Sequence, residues 1–277
     1  MPELPEVEVI ARGLNAGLPG RTIQSVEVFW ERSVAPPISV AQFIAGIAGQ
    51  SIRQVWRRGK FLIVDLENGK HLLVHLRMTG RLCIEPARTP LSPHVRARFR
   101  LDDEIELHFS DVRKFGRLYL TDDLPTVIGK LGPEPLSDTF TAGQFARMLE
   151  GRRGCIKPLL LDQPFIAGLG NIYVDESLFH AGIHPLRRAG SLNMEESRRL
   201  HGEIRRILKE AIQRRGTTLN DYRDAEGQTG EQQNHLAVYG RTGDRCMRCG
   251  EVIQRIVVSQ RGTHFCPRCQ SERAGNA

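Results

Sequence analysis

Two closely spaced cysteine pairs near the C-terminus constrain this chain more than any other feature. Each pair has the form CxxC, and residues 250–265 separate the first pair from the second. A CxxC turn presents two thiolates to one tetrahedral ion, and a set of four cysteines leaves no open position for water or substrate. Two fortuitous pairs and a redox dithiol are the less favoured alternatives. The spacing therefore predicts one structural zinc ion, held by Cys246, Cys249, Cys266 and Cys269.

The residues between the two pairs predict a β-hairpin. Residues 253–259 and 263–265 have the composition of strands, and Gln260, Arg261 and Gly262 between them favour a turn with a cation at its tip. The remaining cysteines, Cys83 and Cys155, stand alone in the sequence. This distribution does not fit a disulfide framework.

The charge of the chain favours a polyanionic partner. Among 277 residues there are 39 Lys and Arg against 32 Asp and Glu, so the formal net charge is +7. The region around the cysteines is rich in arginine, which suits a phosphate-binding surface, with a solvated basic face as the alternative: Arg245, Arg248, Arg255, Arg261, Arg268 and Arg273. Because no long apolar run and no cationic leader are present, we expect a soluble protein that is not exported.

The order of patterns along the chain predicts two larger parts and a small appendage. A short amphipathic helix begins near Pro5 and ends by Gly17, and at least seven short strands follow up to about Leu120, as in a β-sandwich or barrel. After 131–138 the pattern is helical, with Asn171 as the predicted N-cap of one helix and 193–215 as another. The polar stretch 218–234 predicts a mobile surface loop.

The N-terminus can carry covalent chemistry. Removal of Met1 before the small residue Pro2 would leave a secondary amine, which forms an iminium with an aldehyde-level carbon. An α-amino group titrates near pH 7.7 to 8.0 in model peptides, so it is partly neutral at cellular pH. Glu3 beside it could act as a general acid. Taken alone, a proline at position two followed by glutamates is commonplace, and this interpretation depends on further motifs.

Those motifs run through nearly the whole chain in order. They are MPELPEVE at the N-terminus, RRGKFL, HLRMTGRL, DVRKFGRL, LGPEPL, GLGNIYVDESLFHAGIHP, GTTLNDY, VYGR and QRGTHFCPRCQ. Together they resemble the formamidopyrimidine-DNA glycosylase family. The resemblance implies an α+β multidomain fold: an N-terminal β-sandwich with a catalytic N-terminal helix, a helix-two-turn-helix domain, and a four-cysteine zinc β-hairpin finger. The expected domains are 2–130, 131–236 (with a lesion-capping loop) and 237–271.

The resemblance also implies a reaction and the residues that perform it. Pro2 is similar to the family nucleophile, which attacks C1′ of the damaged nucleotide, and Glu3 to the acid that protonates the opening sugar. Lys60 is similar to the lysine assigned to β-elimination and a phosphate contact. Arg261 is similar to the hairpin arginine that clamps phosphate and is assigned to δ-elimination. The implied activity is excision of oxidised purines, 8-oxoguanine and formamidopyrimidines, followed by strand cleavage at the abasic site.

A second group of residues is implied to contact duplex DNA. Flipping a base out of the stack leaves a gap, and Met78, Arg113 and Phe115 resemble the residues that fill it. Asn171 resembles the helix-two-turn-helix asparagine that holds the backbone. Phosphate contacts are further expected from Arg152 and Lys157, and a DNA contact from His94. Without the family context, Met78 and Phe115 are more simply core residues and Arg113 a surface residue. For Arg152 and Lys157, a solvated charge run is the alternative.

Three departures and two rivals bear on this interpretation. Val9 stands where the family usually has threonine, Val112 interrupts the usual Asp-Pro-Arg, and one histidine of a pair beside His94 is absent. A related branch that acts on oxidised pyrimidines shares the terminal Pro-Glu, and a non-catalytic DNA-binding protein is a rival of another class. The expected partner is duplex DNA containing an oxidised purine, with no membrane; a monomer and a cytoplasmic, nucleoid-associated location are expected.

Overall fold

The computed structural model describes residues 1–102 and 104–272. The chain packs into two compact units, one formed by 1–130 with 214–233 and the other by 131–213 with the residues from 234 onward. Residues 214–233 thus return to the N-terminal unit. The three-domain division at 130/131 and 236/237 stays a prediction. In the part of the chain that the structure describes, no helix is long and apolar enough to cross a membrane.

The first unit contains an eight-stranded antiparallel sheet with the strand order β5-β7-β6-β1-β2-β3-β4-β8. The strands are β1 (Thr22–Val28), β2 (Gln50–Arg58), β3 (Phe61–Leu66), β4 (His71–His75), β5 (Gly80–Pro86), β6 (Val95–Leu101), β7 (Ile105–Asp111) and β8 (Arg117–Thr121). Strands β1 and β2 pair at two positions, Thr22 with Ser51 and Ile23 with Gln50. The sheet therefore divides there into two four-stranded halves.

Both halves of the sheet contribute to one apolar core. Leu62 and Val74 from one half and Phe99 and Phe109 from the other are fully buried in the same cluster. Such a shared core is the arrangement of a β-sandwich, and the predicted sandwich is confirmed. The eight strands of this sheet agree with the prediction of at least seven.

Helix α1 (Leu4–Gly17) precedes the sheet, and α2 (Val40–Ile47) and α3 (Leu124–Ile128) complete the first unit. Pro5 lies in the first turn of α1, where a missing backbone N–H costs nothing. Val7, Ile10 and Leu14 recur on one face of α1 and are buried in the core. This packing fixes the position of the chain's first residues.

The second unit contains α4 (Ala142–Leu149), α5 (Ile156–Leu161), α6 (Asn171–Ala181) and α7 (Met194–Gln213). The predicted capping box of α7 is confirmed: Asn193 N donates to Glu196 Oε2 (2.9 Å) and Glu196 N donates to Asn193 Oδ1 (2.8 Å). The predicted apolar stripe of α7 is buried, including Leu200, Ile204 and Leu208.

The predicted N-cap of α6 is corrected by the structure. Gly170 occupies the cap with an extended backbone, and Asn171 is the first helical residue. The reason is that the Asn171 side chain bonds to a carbonyl outside the helix, that of Gly262, rather than to the helix's own N–H groups. The predicted end of the helix is confirmed at Gly182, which has a left-handed conformation (φ 67°).

Strands β9 (Gln254–Val258) and β10 (Arg261–Phe265) form the C-terminal hairpin. The predicted turn is displaced by one residue. Arg261 pairs with Val258, so the loop consists of Ser259 and Gln260, which both have positive φ (46° and 62°). Positive φ at both positions is typical of two-residue hairpin loops, whose twist matches that of the strands. Arg261 is therefore the first residue of β10, directly beside the tip.

Candidate functional site

The two N-terminal site residues are held in a buried position. Pro2 is buried, Glu3 is 3% exposed, and Met1 before them is exposed. The backbone N–H of Glu3 donates to Glu6 Oε2 (2.8 Å), and Glu6 Oε1 accepts from the N–H of Thr217 (2.7 Å). Glu6 thus joins the start of α1 to residue 217 of the same unit. Glu6 was not predicted as a site residue, although its place in PELPE matches a capping position.

The backbone of Gly216 approaches Glu6 closely. An added Cβ on Gly216 would lie 2.9 Å from the Glu6 side chain, and the φ of Gly216 is +81°. A side chain at this position would displace Glu6 and strain the backbone. The sequence requirement for glycine before Thr217 therefore follows from the position of Glu6.

Lys60 lies in the turn between β2 and β3 and is 6% exposed. His75, opposite Phe61 on β4, is also buried. Burial, followed by the positive charges of Arg77 and Lys60, lowers the pKa of His75 to about 3. His75 is consequently neutral at physiological pH and accepts a hydrogen bond from the N–H of Arg77 through Nδ1 (3.0 Å).

The structure brings Met78, Arg113 and Phe115 into contact, although Met78 is far from the other two in sequence. The guanidinium of Arg113 lies 3.2 Å from the Met78 sulfur and 4.8 Å from the centre of the Phe115 ring. Met78 is 43% and Phe115 47% exposed, which is unusual for large apolar side chains. We call these three residues the exposed triad. The three side chains thus present two apolar groups and one hydrogen-bond donor side by side at the surface.

His94 lies near the base of one of the loops that carry the triad. Its side chain is exposed, and its carbonyl oxygen accepts from the N–H of Asp111 (2.9 Å), the last residue of β7. The segment from Asp111 onward leads into the loop of Arg113 and Phe115. The position is compatible with the predicted DNA contact, which stays a prediction.

In the second unit, Asn171 and Lys157 both donate to the carbonyl oxygen of Gly262 in the hairpin. The distances are 2.8 Å from Asn171 Nδ2 and 3.1 Å from Lys157 Nζ. Asn171 Oδ1 is buried and has no hydrogen-bond partner among residues 1–102 and 104–272. The hairpin that carries Arg261 is thus attached directly to the first turn of α6.

Lys157 does not occupy the position expected of a phosphate contact. Its side chain is fully buried, and its ammonium donates to Asp175 Oδ1 at 2.6 Å. Asp175 Oδ2 accepts from the N–H of His264 at 2.8 Å. A phosphate would have to compete with this buried ion pair to reach the ammonium. The described contacts of Lys157 hold the hairpin, and its predicted phosphate contact stays a prediction.

Arg152 and Arg261, two predicted site residues of this unit, are accessible. Arg152 is exposed; its Nε donates to the carbonyl of Met148 (3.3 Å) and its guanidinium lies 5.6 Å from the centre of the Phe165 ring. Arg261 is exposed beside the hairpin tip. Both side chains can therefore reach a phosphate. Arg273, the last of the arginines noted around the cysteines, lies outside the described residues.

The four cysteines of the CxxC pairs converge as the spacing predicts. Their sulfur atoms all lie within 4.8 Å of one another, with 3.9 Å between Cys246 and Cys269 and 3.4 Å between Cys249 and Cys266. Tetrahedral coordination at a Zn–S distance of about 2.3 Å requires sulfur atoms about 3.8 Å apart. The donor set is thus the size and chemistry of a structural zinc site.

Ionisation of all four thiols requires a bound cation. The backbone N–H of Glu251 lowers the pKa of Cys249 to about 7, whereas burial raises the pKa of Cys266 and of Cys269. Four thiolates this close together need a cation to remain ionised. A zinc ion would displace the thiol protons and hold both CxxC turns together.

Glu176 attaches the finger to α6. Its carboxylate accepts from three successive backbone N–H groups, those of Ala237 (2.8 Å), Val238 (2.9 Å) and Tyr239 (2.8 Å). Burial raises the pKa of Glu176, and the three donors oppose that shift. Sequence reasoning missed this residue, because an acid in the second turn of a helix has no local signature for such a contact.

Part of the segment predicted as a mobile surface loop is buried. Tyr222, Asp224 and Ala225 are each less than a tenth exposed, and the carbonyl of Ala225 accepts from the N–H of Ile84 on β5 (3.2 Å). The Asp224 carboxylate accepts from the N–H groups of Glu226 (3.1 Å) and Gln228 (2.8 Å). This turn joins the segment to the sheet of its own unit, which a polar composition could not predict.

A four-cysteine hairpin with an exposed arginine beside its tip is typical of proteins that bind nucleic acids. Three family models match the chain in order: the formamidopyrimidine-DNA glycosylase N-terminal domain over residues 1–118, the H2TH domain of the same family over 131–223, and the zinc finger found in FPG and IleRS over 243–271.

The relatives agree with these matches over the full length. The formamidopyrimidine-DNA glycosylase of Protochlamydia amoebophila is 46% identical, covering 98% of this chain and 100% of its own. The wild-type Lactococcus lactis Fpg (MutM), solved with DNA containing N7-benzyl-Fapy-dG, aligns with a TM-score of 0.91 and 40% identity, covering 98% and 100% of the two chains. A structure of MutM with DNA containing carbocyclic 8-oxo-G also aligns with a TM-score of 0.91 and 40% identity, covering 98% of this chain and 100% of its own.

The chain belongs to the formamidopyrimidine-DNA glycosylase family. It is a DNA glycosylase with DNA-(apurinic or apyrimidinic site) lyase activity, and its four cysteines form the structural zinc site of the family's finger.

Proposed function

We propose that this enzyme excises oxidised purines, 8-oxoguanine and formamidopyrimidines, from duplex DNA and then cleaves the strand by β,δ-elimination. The observation that carries the choice of substrate is the exposed triad of Met78, Arg113 and Phe115. The MPELPEVE terminus, with its buried Pro2 and Glu3, is the second feature that favours the purine branch over the pyrimidine branch.

In the proposed first step, the secondary amine of Pro2 attacks C1′ of the damaged nucleotide. The base leaves with the electron pair of its bond to C1′ and takes the proton that the Pro2 nitrogen loses. The nitrogen lone pair then breaks the bond from C1′ to the ring oxygen, and Glu3 donates a proton to that oxygen as the ring opens. The resulting iminium holds the sugar covalently and accepts electron density during elimination.

In the proposed later steps, Lys60 assists β-elimination and contacts phosphate, and Arg261 binds phosphate during δ-elimination. Asn171, Arg152 and His94 are proposed to contact the DNA, and the exposed triad to fill the gap left by the flipped nucleotide. The unpartnered Oδ1 of Asn171 supports a role for this side chain in binding, because a bound ligand or water would supply its partner. We propose that the enzyme acts as a monomer in the cytoplasm, associated with the nucleoid.

Borohydride trapping tests the substrate class. Mature protein is incubated with duplexes containing 8-oxoguanine opposite cytosine or an oxidised pyrimidine, and the reduced complex is digested for peptide mass analysis. We expect trapping at the purine lesion, with the added mass on residue 2. Trapping at the pyrimidine lesion alone would assign the chain to the sister branch. Binding without trapping on either duplex would favour a non-catalytic DNA-binding protein.

Arg261→Ala is expected to weaken binding to damaged duplex and to reduce the slope of log affinity against log salt by about one, because one phosphate contact is lost. The measurement is a salt titration of affinity by fluorescence anisotropy. Arg198→Ala removes the same charge from an exposed position on α7, outside the arginine-rich region around the cysteines, and serves as the matched control. An Arg261→Ala slope equal to that of the wild type would contradict the proposed contact.

A further inference from the structure

The exposed triad is carried by two separate loops whose backbones are individually strained. Met78 lies between β4 and β5, while Arg113 and Phe115 lie between β7 and β8. The residues next to Met78 and Phe115, Arg77 and Lys114, have left-handed backbones with φ of 54° and 61°. A residue with a side chain rarely adopts this conformation without support from its surroundings. Something must therefore hold both loops in place.

The carboxylate of Asp111 joins the two loops. Oδ1 accepts from the Thr79 hydroxyl in the first loop and from the N–H of Arg113 in the second (3.1 Å). Oδ2 accepts from the N–H of Gly116 at 2.7 Å, at the far end of the second loop. The Thr79 hydroxyl oxygen also accepts from the N–H of Arg113 (3.1 Å). Asp111 thus binds the second loop on both sides of Phe115, at Arg113 and at Gly116. Through Thr79, which follows Met78, it also binds the first loop.

Asp111 is itself fixed to the sheet. It is 1% exposed, its N–H donates to the carbonyl of His94 (2.9 Å), and its carbonyl oxygen accepts from Arg96 Nε (2.8 Å). Gly116 can approach the carboxylate because it has no side chain: an added Cβ would lie 3.2 Å from Asp111 Oδ2 and 2.5 Å from the Phe109 ring. The carboxylate is therefore a rigid anchor at the end of β7.

We propose that Asp111, with Thr79, is a positioning residue that holds the two loops in one arrangement, so that Met78, Arg113 and Phe115 enter the base stack as a unit. This inference rests on the proposed gap-filling role of the triad. Asp111 touches neither DNA nor the reacting atoms in this scheme. Its contribution is pre-organisation, because loops ordered before binding lose less conformational entropy when the triad inserts.

The test is a cycle of variants in single-turnover excision of 8-oxoguanine from duplex DNA. Asp111→Asn keeps the shape of the side chain but replaces one carboxylate oxygen with an NH2 group. In the variant, this NH2 group would face a backbone N–H from which the wild-type carboxylate accepts a hydrogen bond. We expect a loss of roughly tenfold in rate. In a background of Met78→Ala, Arg113→Ala and Phe115→Ala, we expect the same change to have an effect of less than about twofold, because its target is gone.

Two substitutions of Thr79 provide a second test, which applies even if Asp111→Asn does not fold. Thr79→Val removes the bridging hydroxyl at nearly constant volume and is expected to slow excision, while Thr79→Ser retains the hydroxyl and is expected to restore the rate. A 2-aminopurine base beside the lesion reports unstacking directly, and its fluorescence rise should fall in Asp111→Asn and in Thr79→Val.

The outcomes separate this inference from the proposed function. An equal loss from Asp111→Asn in both backgrounds would show a merely structural role and overturn the inference. A triad variant as active as the wild type would instead refute the gap-filling role. Absence of excision by the wild type would refute the proposed function itself.

Discussion

A protein with a peptide extension before Pro2 is expected to form no borohydride-trapped complex with damaged duplex. The nitrogen of Pro2 would then be an amide, whose lone pair is delocalised into the carbonyl and does not attack carbon. Met1 is 48% exposed although Pro2 is buried. Residues added before Met1 can therefore extend into solvent without displacing α1. The measurement is the fraction of labelled DNA that migrates with protein after reduction, and we expect it to fall to background.

The matched control is the same protein after proteolytic removal of the extension to leave Pro2 first. It should recover trapping in full, and both forms should bind the damaged duplex in a gel-shift assay. Efficient trapping by the extended protein would move the nucleophile to another amine, of which Lys60 is the first candidate for peptide mapping.

Removal of zinc is expected to unfold the finger and to abolish tight binding of DNA. Structural zinc in finger peptides contributes an apparent ~10–16 kcal/mol at neutral pH, which is also folding free energy. In the cluster around the cysteines, the described apolar side chains are Phe179, Ala237, Val238 and Ile253. Without the ion, this cluster is too small to hold the hairpin and Arg261 in place.

The measurement combines chelation, or Cys249→Ser, with metal analysis, circular dichroism and a binding titration. Cys155→Ser, at a half-buried cysteine outside the zinc site, is the control and should bind zinc and DNA as the wild type does. The core of the first unit contains no residue of the finger among its described members, and we expect its thermal transition to persist. Full excision by verified zinc-free protein would contradict the prediction.

The elements that local patterns specify could be predicted from the sequence. The apolar stripe and capping box of α7, the end of α6 at Gly182 and the zinc donor set are all confirmed. Each depends on residues a few positions apart, or on a spacing that one metal ion enforces. Pro2 and Glu3 were predicted as site residues, and the experiments above test their proposed roles.

The structure adds to or corrects the sequence-based expectations where the partners are distant in sequence. The sequence predicts Lys157 as an exposed cation in a basic cluster. In the structure, its ammonium is buried and donates to Asp175 on the next helix and to the carbonyl oxygen of Gly262 in the finger. The sequence predicts Asn171 as an N-cap, but its side-chain amide donates a hydrogen bond to the carbonyl oxygen of Gly262. In both cases the deciding contact comes from a part of the chain that no local pattern indicates.

The sequence by itself determined the family, the zinc ligands, the helices with clear periodicity and the strand-rich character of the first unit. These follow from short-range chemistry: thiolate geometry, helix capping and the alternation of apolar side chains. The tertiary structure alone decided that Asp111 joins the two triad loops, that Glu6 reaches residue 217 and that Glu176 holds the finger. A buried carboxylate is stable only where donors surround it, and those donors are brought together by folding.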